Sequence, residues 1–355
     1  MVKKKTWLLM LLIAMMITAC SKDDDFGTLP DEQLRQARVT LLATHNGMGD
    51  NGYIDSAIEG IFAFVIKTGT PLQLLLPHNE REAEQMYNQW IADNATRDSS
   101  VLIVGTEAYE TFVEQTPVQL KGKGTRVLLF ESKITEQPDG VSAIMLSRYG
   151  AAYLAGAMSK DFNALIIAAT PGYGTLEDAI NGFMDGHNAH HAEGKQVELC
   201  YLSDNESGFA IPDSAYRMMS SRIAQSYVYR DMVFPLLGGS GIGVLRCMND
   251  EEANLGLIIG MDVDQSAFCS RVPFSMIVRT GDVLHRYLDE WLQGVDWPKS
   301  KTLGMKDGGA DIMLHPLFYT DNVPVDDRYR DPDTFVNLYN EFKEEAIRKE
   351  EAYEK

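Results

Sequence analysis

The amino-acid sequence predicts an α/β protein built as two doubly wound lobes, on three observations. Short apolar runs such as Val101–Val104 alternate with helical patterns such as Glu80–Ile91, which is typical of βαβ units in a parallel sheet. The alternation begins again near residue 141, which indicates a second series. The length of 355 residues suits about two domains.

The first series supplies strands that are apolar throughout, as expected for strands buried on both faces. They are predicted at Val39–Ala43, Leu72–Leu76, Val101–Val104 and Val127–Phe130. Helices are predicted between them at Asp55–Ile66, Glu80–Ile91 and Glu107–Glu114. Because βαβ crossovers are right-handed, these elements form a doubly wound sheet.

The second series alternates in the same way, and its first helix is rich in alanine and glycine, which allows close packing. Strands are predicted at Val141–Met145, Ala164–Ala168, Val197–Leu202, Met232–Leu236, Leu255–Met261, Phe274–Val278 and Asp311–His315. Helices are predicted at Tyr149–Met158, Leu176–Ala189 and Ser214–Gln225, from Ile242, and at Asp282–Leu292. The first lobe is assigned residues 37–145 with about 262–300, the second 146–261 with about 301–330, and 331–355 form a charged C-terminal helix.

The composition excludes two classes of protein. The 51 acidic residues against 32 basic ones give a formal charge of −19, so the chain lacks the basic surface that a nucleic-acid partner requires. With 45% hydrophobic and 23% charged residues, most of the chain is not intrinsically disordered.

The N-terminus has the pattern of an export signal. Three lysines precede an apolar stretch, and Ile17-Thr18-Ala19-Cys20 resembles the lipobox of bacterial lipoproteins. We therefore expect residues 1–19 to be removed and Cys20 to carry acyl chains that hold the protein at the cell-envelope membrane. The acidic segment 20–36 is either a solvated tether or, by resemblance, a signal for export to the outer face of the outer membrane.

The loop after the first strand carries residues that suit a small ligand. Tyr53 can stack on a planar ring, and Asp50 can accept hydrogen bonds from a diol or from ring N–H groups. Asp50 or Asp55 can instead cap the following helix, a role we favour for Asp55. The spacing Gly47-x-Gly49-x-x-Gly52 matches a dinucleotide fingerprint, but a nicotinamide cofactor does not suit an exported protein, and no cofactor is expected.

Two later strand ends carry further candidates. Gly238–Gly243 follows a strand and opens a helix, which allows close backbone approach, and it lacks the lysine of a P-loop. Asp262 ends a buried strand, where parallel sheets bind ligands, so we favour a ligand role over a turn role. His187 and His191 are spaced to share a metal, but a solvated face is favoured because no further ligand completes the site.

The sequence gives little support for covalent chemistry. It contains no G-x-S-x-G nucleophile motif, and we do not expect an enzyme. Besides Cys20, the mature chain has an odd number of cysteines, and Cys247 and Cys269 are either bridged or free.

Six motifs in order resemble the basic membrane protein family of substrate-binding lipoproteins, whose best-known members bind purine nucleosides. The motifs are Gly49–Gly60, Tyr153–Gly156, Gly182–Gly186, Gly238–Val244, Gly260–Ser266 and Lys306–Gly309. The resemblance implies a type I periplasmic-binding-protein fold, in which two lobes joined by three crossovers close on a ligand. It also implies uptake with an ABC-type permease as partner.

The resemblance implies roles for particular residues. Asp50 and Tyr53, with Asn51 between them, would hold a base, and Asp262 would bind ribose hydroxyls. The cleft would also be lined by Gly239, Ser240 and Gly241, by the ring of Phe209, and by Arg279.

Two positions depart from the nucleoside binders. Ile54 stands where they have Asn, and Val278 stands where they have Lys, with Arg279 one position further on. These departures and the acidic tether motivate an alternative, an outer-surface sensor or interaction lipoprotein of the same fold with another ligand. A nucleoside-processing enzyme is a third, less favoured hypothesis, because it needs a catalytic triad or a metal cluster and the sequence shows neither pattern.

Overall fold

The computed structural model describes residues 38–45, 49–50, 52–122, 124–225, 231–250, 256–315, 329, 331 and 333–354. The predicted signal, the predicted lipidation site Cys20, the tether and Asn51 lie outside the described residues. In chain order the strands are β1 (Arg38–Leu42), β2 (Leu72–Leu75), β3 (Ser100–Val104), β4 (Arg126–Phe130), β5 (Val141–Leu146), β6 (Asn163–Ala168), β7 (Val197–Tyr201), β8 (Asp231–Leu236), β9 (Leu257–Ile258), β10 (Gly260–Asp262), β11 (Phe274–Val278), β12 (Ser300–Leu303) and β13 (Ala310–Leu314).

The helices mostly extend the predicted ones by a turn or less at each end. They are α1 (Tyr53–Thr68), α2 (Glu80–Asn94), α3 (Glu110–Gln115), α4 (Tyr149–Met158), α5 (Gly174–His190), α6 (Pro212–Gln225), α7 (Gly241–Asp250), α8 (Thr280–Leu292) and α9 (Asp333–Tyr353). Short 3₁₀ turns lie at Glu107–Tyr109, Glu206–Ala210 and Gly238–Ser240. Among the described residues, no helix has both the length and the apolar character needed to cross a membrane.

The first lobe contains a parallel six-stranded sheet in the order β12-β5-β4-β3-β1-β2. Alternate residues of its central strands enter different cores. Ile103 packs towards α1 and α8, whereas Leu102 and Val104 pack towards α2 and α3. Both faces of the sheet are therefore covered by helices, which explains why the strands are apolar at every position.

The second lobe contains a parallel sheet in the order β7-β6-β8-β9 and a mixed sheet in the order β10-β11-β13. Both sheets contribute to one core, which also contains the fully buried α4. Glycines allow helices α4 and α5 to approach closely. A Cβ at Gly156 would lie 2.1 Å from the Phe183 carbonyl, and one at Gly186 would lie 2.0 Å from the Tyr153 carbonyl, so neither position has room for a side chain. Two motifs of the family resemblance thus serve helix packing.

The chain crosses between the lobes three times, at residues 147–148, at Arg279 and at residues 304–309. The predicted return to the first lobe near residue 262 is corrected to Arg279, because β10 pairs with β11 in the second lobe. The final crossing follows β12, a strand that the sequence analysis missed because only Leu303 of its side chains is fully buried. The predicted strand Leu255–Met261 is two strands, β9 and β10, in different sheets.

Candidate functional site

A cavity of about 320 Å³ lies between the lobes, at the carboxyl ends of the strands. This is the place where open parallel sheets bind ligands. Its polar and charged lining residues come from both lobes: Thr44, Asp50, Tyr53, Thr106, Glu107, Glu131, Arg148, Tyr173, Thr175 and Asp262. Its volume falls within the ordinary range of small-molecule sites.

Asp262 lines this cavity with a buried hydrogen-bond acceptor that has no donor among the described residues. It ends β10 in a left-handed conformation with φ of 65° and is only 5% exposed. Its Oδ1 has no hydrogen-bond partner among the described residues. Burial, with the negative charges of Asp50 and Glu131, raises the pKa of Asp262 to about 7, and Arg148 opposes that shift. A buried acceptor of this kind is suited to a ligand that donates hydrogen bonds.

The base of the cavity is formed by an ion pair between Glu131, just after β4, and Arg148, just after β5. Arg148 donates from both terminal nitrogens to the two Glu131 oxygens, at 2.5 and 3.3 Å, and also to the Leu146 carbonyl at 3.2 Å. Both residues are buried. Burial raises the pKa of Glu131, and the pair with Arg148 opposes that shift. Sequence analysis missed this pair, although Glu131 directly follows one predicted strand and Arg148 lies three residues after the end of another.

Asp50 lines the cavity, but its carboxylate also caps α1. It accepts hydrogen bonds from the backbone N–H groups of Gly52, Ile54 and Asp55 at 3.0–3.3 Å. The capping role predicted for Asp55 therefore belongs mainly to Asp50, and Asp55 accepts from Gly49 N at 2.9 Å. Since these bonds use both oxygens of Asp50, its capacity for a ligand is smaller than that of Asp262.

Three aromatic rings form part of the apolar wall, beside aliphatic side chains. Tyr53 donates to the Gly105 carbonyl at 3.2 Å, which fixes its ring in the first lobe. Tyr173 and Phe209 belong to the second lobe, and their ring centroids are 5.0 Å apart with an interplanar angle of 64°. Tyr53 and Phe209 were expected here, and Tyr173 was missed because it lies in a loop without a motif.

The Gly238–Gly243 loop contributes through its backbone. A Cβ at Gly239 would lie 3.4 Å from the Asp50 Cα, an ordinary contact distance, so this residue meets the first lobe at the cavity. Ser240 does not line the cavity, because it is fully buried and accepts a hydrogen bond from Ile211 N at 2.7 Å. Gly241 begins α7 and is also outside the lining.

Arg279 does not join this cavity, which corrects the expectation drawn from the resemblance. It directly precedes α8, and its half-exposed side chain lies 3.5 Å from Asp282. It lines a second, open groove of about 710 Å³ beside α1 and α8, which Asp262 also borders. The neighbouring Val278 is buried in the first core.

Within the described residues, His187, His191, Cys247 and Cys269 form no metal site or disulfide. His187 is fully buried and its Nε2 lies 3.0 Å from the Phe162 carbonyl, so the expected solvated face is wrong for this residue. Within the described ranges, no group of three or more His, Cys, Asp or Glu side chains could hold a metal ion. Cys247 and Cys269 are both buried, and no disulfide joins them.

Three solved structures share this architecture. A solute-binding protein of an ABC transporter system from Aeropyrum pernix K1 has a TM-score of 0.69 and 15% identity, over 89% of this chain and 90% of that chain. A transcriptional activator of the comK gene from Bacillus halodurans has a TM-score of 0.62 and 15% identity, over 86% and 98%. An ABC transporter solute-binding protein from Burkholderia graminis C4D1M, in complex with D-arabinose, has a TM-score of 0.57 and 14% identity, over 78% and 95%. The fold is that of the type I periplasmic binding proteins.

No protein-family model matches the sequence, and no curated protein matches it. The type I periplasmic-binding-protein fold predicted from the resemblance is confirmed. The basic membrane protein family itself stays a prediction.

In this type I fold the two lobes contact each other across the mouth of the cavity. Glu107 of the first lobe accepts hydrogen bonds from the N–H groups of Gly174 and Thr175, the first two residues of α5, at 2.8 and 3.1 Å. Thr106 and Tyr173 share a hydrogen bond of 2.9 Å. These bonds are made only when the lobes are close, so the structure has a closed arrangement.

Replacing Glu107 with Gln is expected to favour opening of the lobes. A neutral amide keeps the shape but loses the charge that suits the positive end of α5, at a cost of about 1 kcal/mol, a roughly five-fold shift in the opening equilibrium. The opening is measured as the distance between the lobes. Double electron–electron resonance between spin labels at the exposed Glu84 and Asp204, one in each lobe, gives this distance in a Cys200→Ser background. Glu110→Gln, at the first turn of α3, is the matched control. Equal distance distributions for Glu107→Gln and Glu110→Gln would rule out the cross-cleft role.

Proposed function

We propose that this protein is a lipid-anchored solute-binding protein outside the cytoplasm, which closes its lobes on a small hydroxylated ligand for ABC-type uptake. The observation that carries this proposal is the buried Oδ1 of Asp262, unpaired within the described residues and facing a cavity walled by aromatic rings. A ligand that donates hydroxyl or N–H groups supplies the missing partner. The fold likeness to solute-binding proteins supports the class, and the lipobox at Cys20 supports the anchor.

The ligand that suits this cavity best is a nucleoside. Its base is planar and can lie against Tyr53, Tyr173 or Phe209, and its ribose carries hydroxyl donors for Asp262. A charge-assisted hydrogen bond in a closed site is stronger than one in water. Such a site is expected to reach micromolar affinity, about −8 kcal/mol.

A thermal-shift and calorimetric screen of the mature chain tests this function. We expect purine nucleosides to raise the melting temperature, with free bases and pentoses as the comparison classes. Tyr173→Ala should weaken binding, and Arg279→Ala, outside the cavity, should not. A pentose that binds more tightly than every nucleoside would reassign the ligand to sugars, and no shift with any class would refute the function.

The acidic tether supports a second candidate, a sensor or interaction lipoprotein on the outer surface. The same fold also occurs in a transcriptional activator, so it is not restricted to transport. Protease treatment of intact cells separates the two functions. Cleavage would indicate outer-surface exposure and disfavour direct delivery to an inner-membrane permease, whereas protection would favour transport.

A further inference from the structure

The C-terminal helix α9 ends against two of the three crossovers between the lobes. Near this end, Glu350 is only 4% exposed. One of its oxygens accepts a hydrogen bond from Gly150 N at 3.0 Å, and the other accepts one from Met305 N at 2.7 Å. Gly150 is the second residue of α4, which follows the first crossover, and Met305 lies in the third crossover, so one side chain joins the start of α4 to the third crossover.

Two glycines make room for this carboxylate. A Cβ at Gly150 would lie 2.7 Å from the Glu350 Cδ, and a Cβ at Gly304 would lie 2.2 Å from its Oε2. Any other residue at either position would therefore displace Glu350 or the backbone that it contacts. The absence of a side chain at these two positions, one in α4 and one in the third crossover, is what lets the buried carboxylate approach both.

The last turn of α9 continues the contact on both sides of the hinge. Tyr353 stacks on Tyr149 with ring centroids 4.0 Å apart, and its hydroxyl donates to Asp178 at 2.9 Å. Asp178 also accepts from Lys133 of the first lobe at 2.7 Å. The side chain of Ser147, within the first crossover, donates to Glu354 at 2.8 Å.

We propose that Glu350 is a positioning residue of the hinge, and that α9 is a brace that holds the lobes at the closed angle. Hinge rotation would move Met305 relative to Gly150 and Lys133 relative to Asp178, whereas hydrogen bonds weaken steeply when their distance and angle change. A buried carboxylate that loses a donor is costly, so the brace resists this rotation. The proposal concerns the empty protein and does not depend on the identity of the ligand.

Glu350→Gln tests the brace in the full chain in detergent micelles. The amide nitrogen of Gln cannot accept, so at least one of the two backbone N–H groups loses its partner. We expect the distance distribution between labels at Glu84 and Asp204 to shift towards the open state, at least two-fold in population. The matched control is Glu344→Gln, at an exposed residue of the same helix.

A second variant separates bracing from general stability. Tyr353→Phe keeps the ring stack but removes the hydrogen bond to Asp178, so the urea midpoint should change little while the distance distribution shifts in the same direction. If Glu350→Gln fails to fold, Tyr353→Phe decides the question alone. A distribution equal to that of the unmodified protein in a folded Glu350→Gln, or in Tyr353→Phe, would overturn the proposal.

Discussion

Replacing Asp262 with Asn is expected to stabilise the empty protein and to weaken its ligand binding. A buried acid with a raised pKa contributes stability that is present below its unfolded pKa, near 4, and is lost as pH rises through its folded pKa of about 7. Asn does not titrate, and it tolerates the left-handed conformation at this position. The stability advantage of the variant should therefore grow by about 3 kcal/mol between about pH 5 and about pH 8.

The same substitution should reduce affinity, because a charged acceptor becomes neutral. The loss of binding free energy is about 1.5–3 kcal/mol, which corresponds to a dissociation constant roughly ten- to hundred-fold higher. Urea unfolding at the two pH values measures the first effect, and calorimetry with the best ligand of the screen measures the second. Asp264→Asn, at an exposed residue two positions away, is the control for both. A variant that is less stable than the unmodified protein at pH 8 would contradict the unpaired state of Asp262.

The parallel sheets were predictable from the sequence because strands covered by helices on both faces must be apolar throughout. This rule found β3 and β4 to within a residue. It failed for β12, an edge strand whose residues are mostly part-exposed, and it could not separate β9 from β10, which form one apolar run. Which sheet a strand joins depends on its partners, and hydrophobic periodicity holds no information about them.

The candidate site was predictable where a residue directly follows a buried strand or lies in a recognisable motif, as for Asp262 and Tyr53. Arg279 satisfied the first condition as well, but its side chain turned outwards to Asp282. The pairing of Glu131 with Arg148 is visible only in the structure, because two adjacent strands bring residues 17 positions apart in the sequence into contact. Sequence alone does not distinguish such a buried pair from two solvated charges.

Arg148→Met is expected to cause the largest loss of stability, because it leaves Glu131 buried without its cation. Removing one partner of a buried ion pair typically costs about 3–5 kcal/mol. Glu131 also has a left-handed backbone with φ of 63°, a conformation that the surrounding contacts must sustain. The positive charge of Arg148 also lowers the pKa of Asp262, against the effect of burial. The loss of Arg148 therefore affects two carboxylates.

The double variant Glu131→Gln with Arg148→Met identifies the cause of that loss. If an unpaired charge is responsible, neutralising Glu131 should restore most of the free energy of unfolding, giving a large coupling in the double-mutant cycle. Arg222→Met, which removes a surface pair with Glu198, should cost less than about 1 kcal/mol and serves as the control. The contradicting result is a double variant that is no more stable in urea unfolding than Arg148→Met alone. That result would mean that the packing of the arginine side chain, and not its charge, stabilises the base of the cavity.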